Sequence, residues 1–119
     1  MPWNVSVAIE KNGFIDTYRE VFPNPVMHPG FTFPADNPAI NIEKLAWSPT
    51  ADDRDRIDFI YYYPDSRIRL NTSKILGPKG DISKNKRVLE ETNDIFLEPL
   101  AIWPTDHKGV ISEFTLFLN

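Results

Sequence analysis

Apolar residues recur along this chain in two rhythms, and each rhythm predicts a different kind of element. Over residues 3–12, Trp3, Val7 and Ala8 fall near one side at helical spacing, and Gly13 stands where a C-terminal cap belongs, so a short helix is expected. A second short helix is expected over residues 17–22. Asp16 or Thr17 opens it, Thr17 and Glu20 stand at capping-box spacing, and Pro23 closes it. Residues 23–38 then hold Pro23, Pro25, Pro29, Pro34 and Pro38, a density that forbids helix and interrupts any sheet ladder. This stretch reads as an ordered loop with Phe31 and Phe33 as apolar anchors.

Strand rhythm dominates the remainder of the chain. Ile57, Phe59, Tyr61 and Tyr63 alternate with Asp58, Ile60 and Tyr62, so both faces of residues 57–63 are largely apolar and a central strand is expected, with Asp58 as its exception. Pro64-Asp65-Ser66 predicts a turn, and residues 67–76 predict a partner strand completing a hairpin, with Ile68 and Leu70 on one face. Residues 77–99 are polar, with a turn or two of helix expected around 86–92. Val110, Phe114, Leu116 and Leu118 mark a final strand, and Trp47 and Trp103 read as packing anchors.

Composition narrows the class. At 119 residues, the chain is one domain at most, and its 41% hydrophobic and 13% aromatic content is enough for a packed interior and too much for disorder. Seventeen acidic against 13 basic residues give a formal charge of −4, so no broad positive field exists to hold a nucleic-acid backbone; contact with one would have to be local or metal-mediated. The absence of cysteine excludes disulfides, zinc ribbons and thiol catalysis. No stretch approaches the ~20 apolar residues that span a bilayer. The first residues lack a secretory signal, so an exported protein would carry its signal upstream; the compartment stays open.

Two short segments carry candidate chemistry: Arg56-Ile57-Asp58-Phe59 and Thr105-Asp106-His107. Each couples acids, and in the second case a histidine, to the end of an expected strand. Histidine changes charge near neutral pH, and it serves as a general base when a second group fixes its tautomer. A carboxylate such as Asp58 is the usual fixer, while Asp106, beside the histidine, can hold a divalent cation or its water shell. Other candidates are weaker. Asp52-Asp53-Arg54-Asp55 lacks the Gly and terminal Glu of a calcium loop and reads as a solvated acidic turn, and His28 reads as a loop residue.

Taken in order, these segments resemble the C-terminal half of the endonuclease/exonuclease/phosphatase superfamily. That family carries an Arg-(Ile/Leu)-Asp-(Phe/Tyr) strand, matched here at every position by residues 56–59, and a Ser-Asp-His tripeptide, here with Thr105 in place of Ser. Gly30-Phe31-Thr32-Phe33 resembles its Gly-x-Thr-(Phe/Trp) segment, and Gly13-Phe14-Ile15-Asp16 with Tyr18-Arg19 resembles a mid-domain helix entry. The resemblance implies His107 as general base or phosphate contact, Asp58 as its orienter, and Asp106 as a ligand of Mg2+ or Mn2+. It also implies an α/β fold, the C-terminal half of a two-sheet αββα sandwich with mostly antiparallel strands and short helices, filling residues 1–119 as one partial domain.

The expected activity is that of a hydrolase, divalent-metal-dependent cleavage of a phosphate mono- or diester. Net acidity weighs toward a small phosphorylated molecule or lipid headgroup over a nonspecific nuclease. Departures from the family matter equally. Its metal-binding Glu and an Asn early in the domain have no counterpart, and neither does its Gly-Asp-Phe-Asn segment; Gly80-Asp81-Ile82-Ser83 lacks the Asn and lies after the Arg-Ile-Asp strand. The chain alone is therefore expected to be inactive and to self-associate as a homodimer through an exposed sheet face. The alternative function is a catalytically silent structural or binding fragment.

Overall fold

Two hydroxyl and carboxyl side chains near the start of the chain decide how its first elements dock. In the computed structural model, which describes residues 3–45 and 48–118 and so leaves Trp47 outside the described residues, Asp16 caps helix α2 (Thr17–Val21) by accepting from the amides of Tyr18 and Arg19. Helix α1 (Asn4–Lys11) precedes it, ending at Asn12 and Gly13, and buries none of its residues. Between them, β1 (Ile15–Asp16) pairs antiparallel with β2 (Tyr61–Tyr62). Both helices fall where the sequence rhythm places them.

The largest sheet has the order β6-β3-β7. Strand β3 (Ile68–Leu76) runs antiparallel to β7 (Gly109–Leu116), from Ile68 opposite Leu116 to Leu76 opposite Gly109, with an irregularity between Leu70 and Thr72. The short β6 (Phe96–Leu97) lies parallel on its other edge. Helix α2 docks here through a chain of part-buried hydroxyl bonds: Ser112 Oγ donates to Thr17 Oγ1 at 2.8 Å, and Ser73 and Ser112 share a bond of 3.1 Å. A separate hairpin joins β4 (Gly80–Ser83) and β5 (Lys86–Leu89) through Lys84 and Asn85, both at positive φ, as a two-residue type I′ turn requires.

Three sequence expectations are corrected. Of residues 57–63 only Tyr61–Tyr62 is strand, because residues 55–58 turn aside to bond with residues 32 and 33. The hairpin between that segment and residues 67–76 does not form, since β3 takes β7 and β6 as partners instead. Residues 86–89 are strand and not helix, because the turn at Lys84-Asn85 folds them back on β4. The proline-rich residues 23–38 form no regular element, only isolated bridges at Phe33 and Ala35, and Arg87 ties down the end of that loop through Asp36 and the carbonyl oxygens of Asn37 and Ile40.

The result is a mixed α/β arrangement of mostly antiparallel strands with a few short helices. Its Cα radius of gyration is 15.7 Å with extents of 52 × 33 × 22 Å, wider than the ~13.5 Å expected for a compact domain of this length. The interior is correspondingly thin. Among the described residues, the buried apolar side chains include Tyr18, Pro34, Ala35, Leu45, Ile75 and Ile82, while Val26, Leu100 and Leu118 lie almost wholly in solvent.

Because Ile75 is buried on the central strand, Ile75→Ala is expected to destabilise the fold by about 2–4 kcal/mol. Leu118→Ala should change it by less than about 0.5 kcal/mol. Urea unfolding followed by tryptophan fluorescence measures both, and equal effects would contradict this placement of the core.

Candidate active site

The site is assembled around Thr32, a wholly buried side chain in the loop that follows Gly30. Gly30 is fixed in place from one side by Asp94, which accepts from its amide at 2.8 Å and from the Tyr18 hydroxyl. Its φ is +69°, and a Cβ there would stand 2.5 Å from a Tyr18 ring carbon, so no other residue fits. Burial, together with the Asp94 contact, pushes the Tyr18 hydroxyl pKa upward, so this phenol remains a donor.

From Gly30 the chain runs antiparallel to residue 55. Thr32 N and Phe33 N donate to the Asp55 carbonyl at 2.9 and 3.1 Å, and Asp55 N donates to the Phe33 carbonyl at 2.9 Å. The Thr32 hydroxyl then accepts from the amides of both Ile57 and Asp58, each at 3.1 Å. Its carbonyl accepts from Lys108 N at 2.6 Å, and Ala35 N donates to the Asp106 carbonyl at 2.6 Å. One short loop thus holds the backbone of Asp58 from one side and that of residues 106–108 from the other.

These bonds bring together the two residues most favoured by the sequence, Asp58 and His107, which stand 49 positions apart. His107 Nδ1 donates to Asp58 Oδ2 at 2.8 Å. A carboxylate only accepts, so the bond puts the proton on Nδ1 and leaves Nε2 of the neutral ring as the basic nitrogen. The two side chains are 40% and 39% exposed, which leaves room for a reactant. Phe33 packs against the imidazole with ring centroids 5.1 Å apart. The loop behind the histidine is pinned as well: Trp103 Nε1 donates to the His107 carbonyl at 2.6 Å, and Asn37 Nδ2 donates to the Trp103 carbonyl at 2.7 Å. Trp103, half-buried, holds this loop through its hydrogen bonds.

Asp106 sits beside the dyad, half-buried, and accepts a long bond of 3.4 Å from the Thr105 hydroxyl. Among the described residues no group of three His, Cys, Asp or Glu side chains is placed to hold a metal ion. Mg2+ keeps much of its near-octahedral shell as water and is commonly held by one or two carboxylates together with substrate phosphates. Asp106 offers one carboxylate. Away from the site, His28 stacks on Phe22 at 4.4 Å, and Asp52 is ion-paired with Arg54, whose hydrogen bonds lower its pKa to about 2.

Two supporting pairs were not legible as such. Arg56 makes a bidentate pair with the buried Asp16, joining the Arg-Ile-Asp segment to the cap of α2, and its guanidinium lies 4.6 Å from the Phe59 ring centroid. Lys108, wholly buried, pairs with the equally buried Asp81 of β4. The sequence signal for the second pair was a lysine directly before a strand of apolar rhythm, which ordinarily reads as solvated. Glu90 completes this cluster beside Asp81, and all four carboxyl oxygens are shielded from solvent. Two acids facing each other in such a place cannot both ionise cheaply, and a proton held between them leaves one negative charge to balance Lys108.

Burial, reinforced by Glu90 and only partly offset by Lys108, pushes the Asp81 carboxyl from 3.8 up to about 8. Between those values the folded chain keeps a proton that the unfolded chain has lost. Stability is therefore expected to fall as pH rises from about 4 to about 8. Urea midpoints taken across that interval measure the decline, and Asp81→Asn should flatten it; a midpoint that rises steadily through the interval would contradict the buried proton.

Comparison with known proteins adds one relative. No family model matches the chain, and no solved structure matches it. The chain is 30% identical over 114 residues to a Caenorhabditis elegans protein, uncharacterized protein F14F9.5; the matched region covers 95% of this chain and 31% of the relative. The chain thus spans less than a third of that relative's length.

Proposed function

We propose that this chain supplies the proton-transferring half of a phosphoesterase active site, with the Asp58–His107 dyad as its chemical centre. The observation that carries this reading is the 2.8 Å bond from His107 Nδ1 to Asp58 Oδ2, on side chains still open to solvent. In that arrangement Nε2 is free to take a proton from an attacking water or to donate a hydrogen bond to a phosphoryl oxygen. Asp58 holds the ring in the required tautomer and stabilises the imidazolium that forms. A dyad of this kind contributes ~10²–10⁴-fold to a hydrolysis and cannot supply the remainder alone.

The rest would come from side chains outside this chain. Among the described residues no group of three metal-ligating side chains is assembled, and the apolar concavity of about 560 Å³ bounded by Trp3, Val5, Ile9, Ile57, Phe59 and neighbouring residues is not lined by the dyad. An αββα sandwich of which this is the C-terminal half accounts for both features, because the partner sheet would complete the cleft and carry the metal ligands. The thin interior supports the same reading. A phosphate mono- or diester on a small molecule or lipid headgroup is the substrate class that the acidic net charge of −4 favours. The second reading, a catalytically silent structural or binding unit, is favoured by the lack of a metal-ligand group among the described residues.

Bis(4-nitrophenyl) phosphate with added Mg2+ or Mn2+ separates the two. The isolated chain is expected to show no turnover above buffer, whereas a longer protein containing it is expected to hydrolyse the ester and to lose about 10²–10⁴-fold in rate on His107→Ala. No turnover by the longer protein would favour the silent unit, and turnover by the isolated chain would overturn the division of the site.

Self-association provides a separate check on the half-sandwich. An uncovered sheet face on a soluble chain is expected to pair with a second copy as a twofold dimer. Light scattering at high micromolar concentration measures this, and a strict monomer would count against the exposed face.

A further inference from the structure

We infer that Lys108 is a positioning residue for the Asp58–His107 dyad, tethering the histidine loop to the β4–β5 hairpin through a buried ion pair; this rests on the dyad reading above. The lysine comes directly after His107 and stands at the head of β7, yet its side chain has no exposure to solvent. An ammonium in such a place is tolerated only when paired. Its Nζ meets Asp81, which is itself wholly buried on β4, and lies 4.7 Å from the centroid of the Phe96 ring on β6. Gly77 gives the stem room to pass, because a Cβ there would approach Lys108 Cβ to 3.2 Å.

The effect on the site depends on where the backbone of Lys108 is held. Lys108 N donates to the Thr32 carbonyl, and the Thr32 hydroxyl receives the amide of Asp58. Both halves of the dyad are thus referenced to one residue, but the links differ in kind. Asp58 is held by Thr32 directly, whereas His107 is held by its neighbours: Trp103 through the His107 carbonyl, and Lys108 through its own amide and its ion pair. Releasing the ammonium end frees the histidine loop to shift relative to Asp58 without disturbing the Thr32–Asp58 bond. Lys108 touches neither reacting atoms nor a substrate position, so its part is to hold and not to react.

A merely stabilising ion pair would change the unfolding midpoint and leave the histidine ring unaffected, so the ring is what the experiment observes. The full chain labelled with 15N is studied by NMR at a pH where His107 is neutral, with His28, the other of its 2 histidines, as internal control. Asp58→Asn provides the reference for a broken dyad. The native chain is expected to hold His107 as the Nδ1–H tautomer. In Lys108→Met the ratio of Nδ1–H to Nε2–H is expected to fall about tenfold, the weight of one hydrogen bond to a carboxylate, while the amide spectrum of β3 and β7 stays native. Asp81→Leu, which removes the other end of the tether whatever its protonation, is expected to give the same fall, and where one variant fails to fold the other decides. A native tautomer ratio in the folded variants would overturn the proposal, as would loss of folding in both. A native chain without the Nδ1–H tautomer would sink the dyad itself, independently of any activity measurement.

Discussion

The buried hydroxyl of Thr32 accepts two backbone amides, those of Ile57 and Asp58, and the arrangement of the site depends on those bonds. Ile57 and Asp58 leave the strand that the apolar alternation over residues 57–63 would otherwise sustain, and amides leaving a ladder must find acceptors elsewhere. Each such bond contributes only ~1 kcal/mol net, but an orphaned amide in the interior would cost ~1–3 kcal/mol. Thr32 prevents that cost twice with one side chain. Its carbonyl simultaneously fixes Lys108, so the residue works as the joint between two segments distant in sequence.

Buried charge sets the rest of the geometry. Asp16 joins Arg56 to the start of α2, and Asp81 joins β4 to the head of β7 through Lys108. Neither pair is a strong source of stability, since desolvation consumes much of the attraction between the partners. What they supply is direction. An apolar side chain would tolerate many packings in so thin an interior, but a buried ion is satisfied only where its partner stands. Around the Asp81–Glu90–Lys108 cluster, the shielded carboxyl oxygens leave little freedom for the chain to slide.

The dyad itself differs in being open. Asp58 and His107 are each about two-fifths exposed, held by a scaffold whose own polar groups are buried, and this contrast between a fixed support and an accessible imidazole is what a general base requires. A histidine satisfied on both nitrogens inside a core would be inert. Here the second nitrogen remains available, which is why the functional proposal rests on this pair and not on the apolar concavities elsewhere on the surface.

Local features were legible in the sequence where they depended on neighbours along the chain. The helix caps at Asp16 and Gly13, the proline-dense loop, and the final strand all arise from short-range chemistry. Asp58 and His107 could be singled out as a pair because their motifs are contiguous, and the structure places them 2.8 Å apart. Strand pairing was not legible: an alternating segment such as residues 57–63 presents the same pattern whichever strand lies beside it. The choice of β7 over a local hairpin as partner of β3 is made by the whole sheet. Lys108 illustrates the same limit, since one charged residue before a strand is solvated in most settings, and only the arrival of Asp81 from another element makes its burial tolerable. The sequence by itself determined which residues could do chemistry and where the chain must turn. Tertiary structure decided which of those residues meet, because desolvation and partner satisfaction are properties of surroundings that no single segment contains.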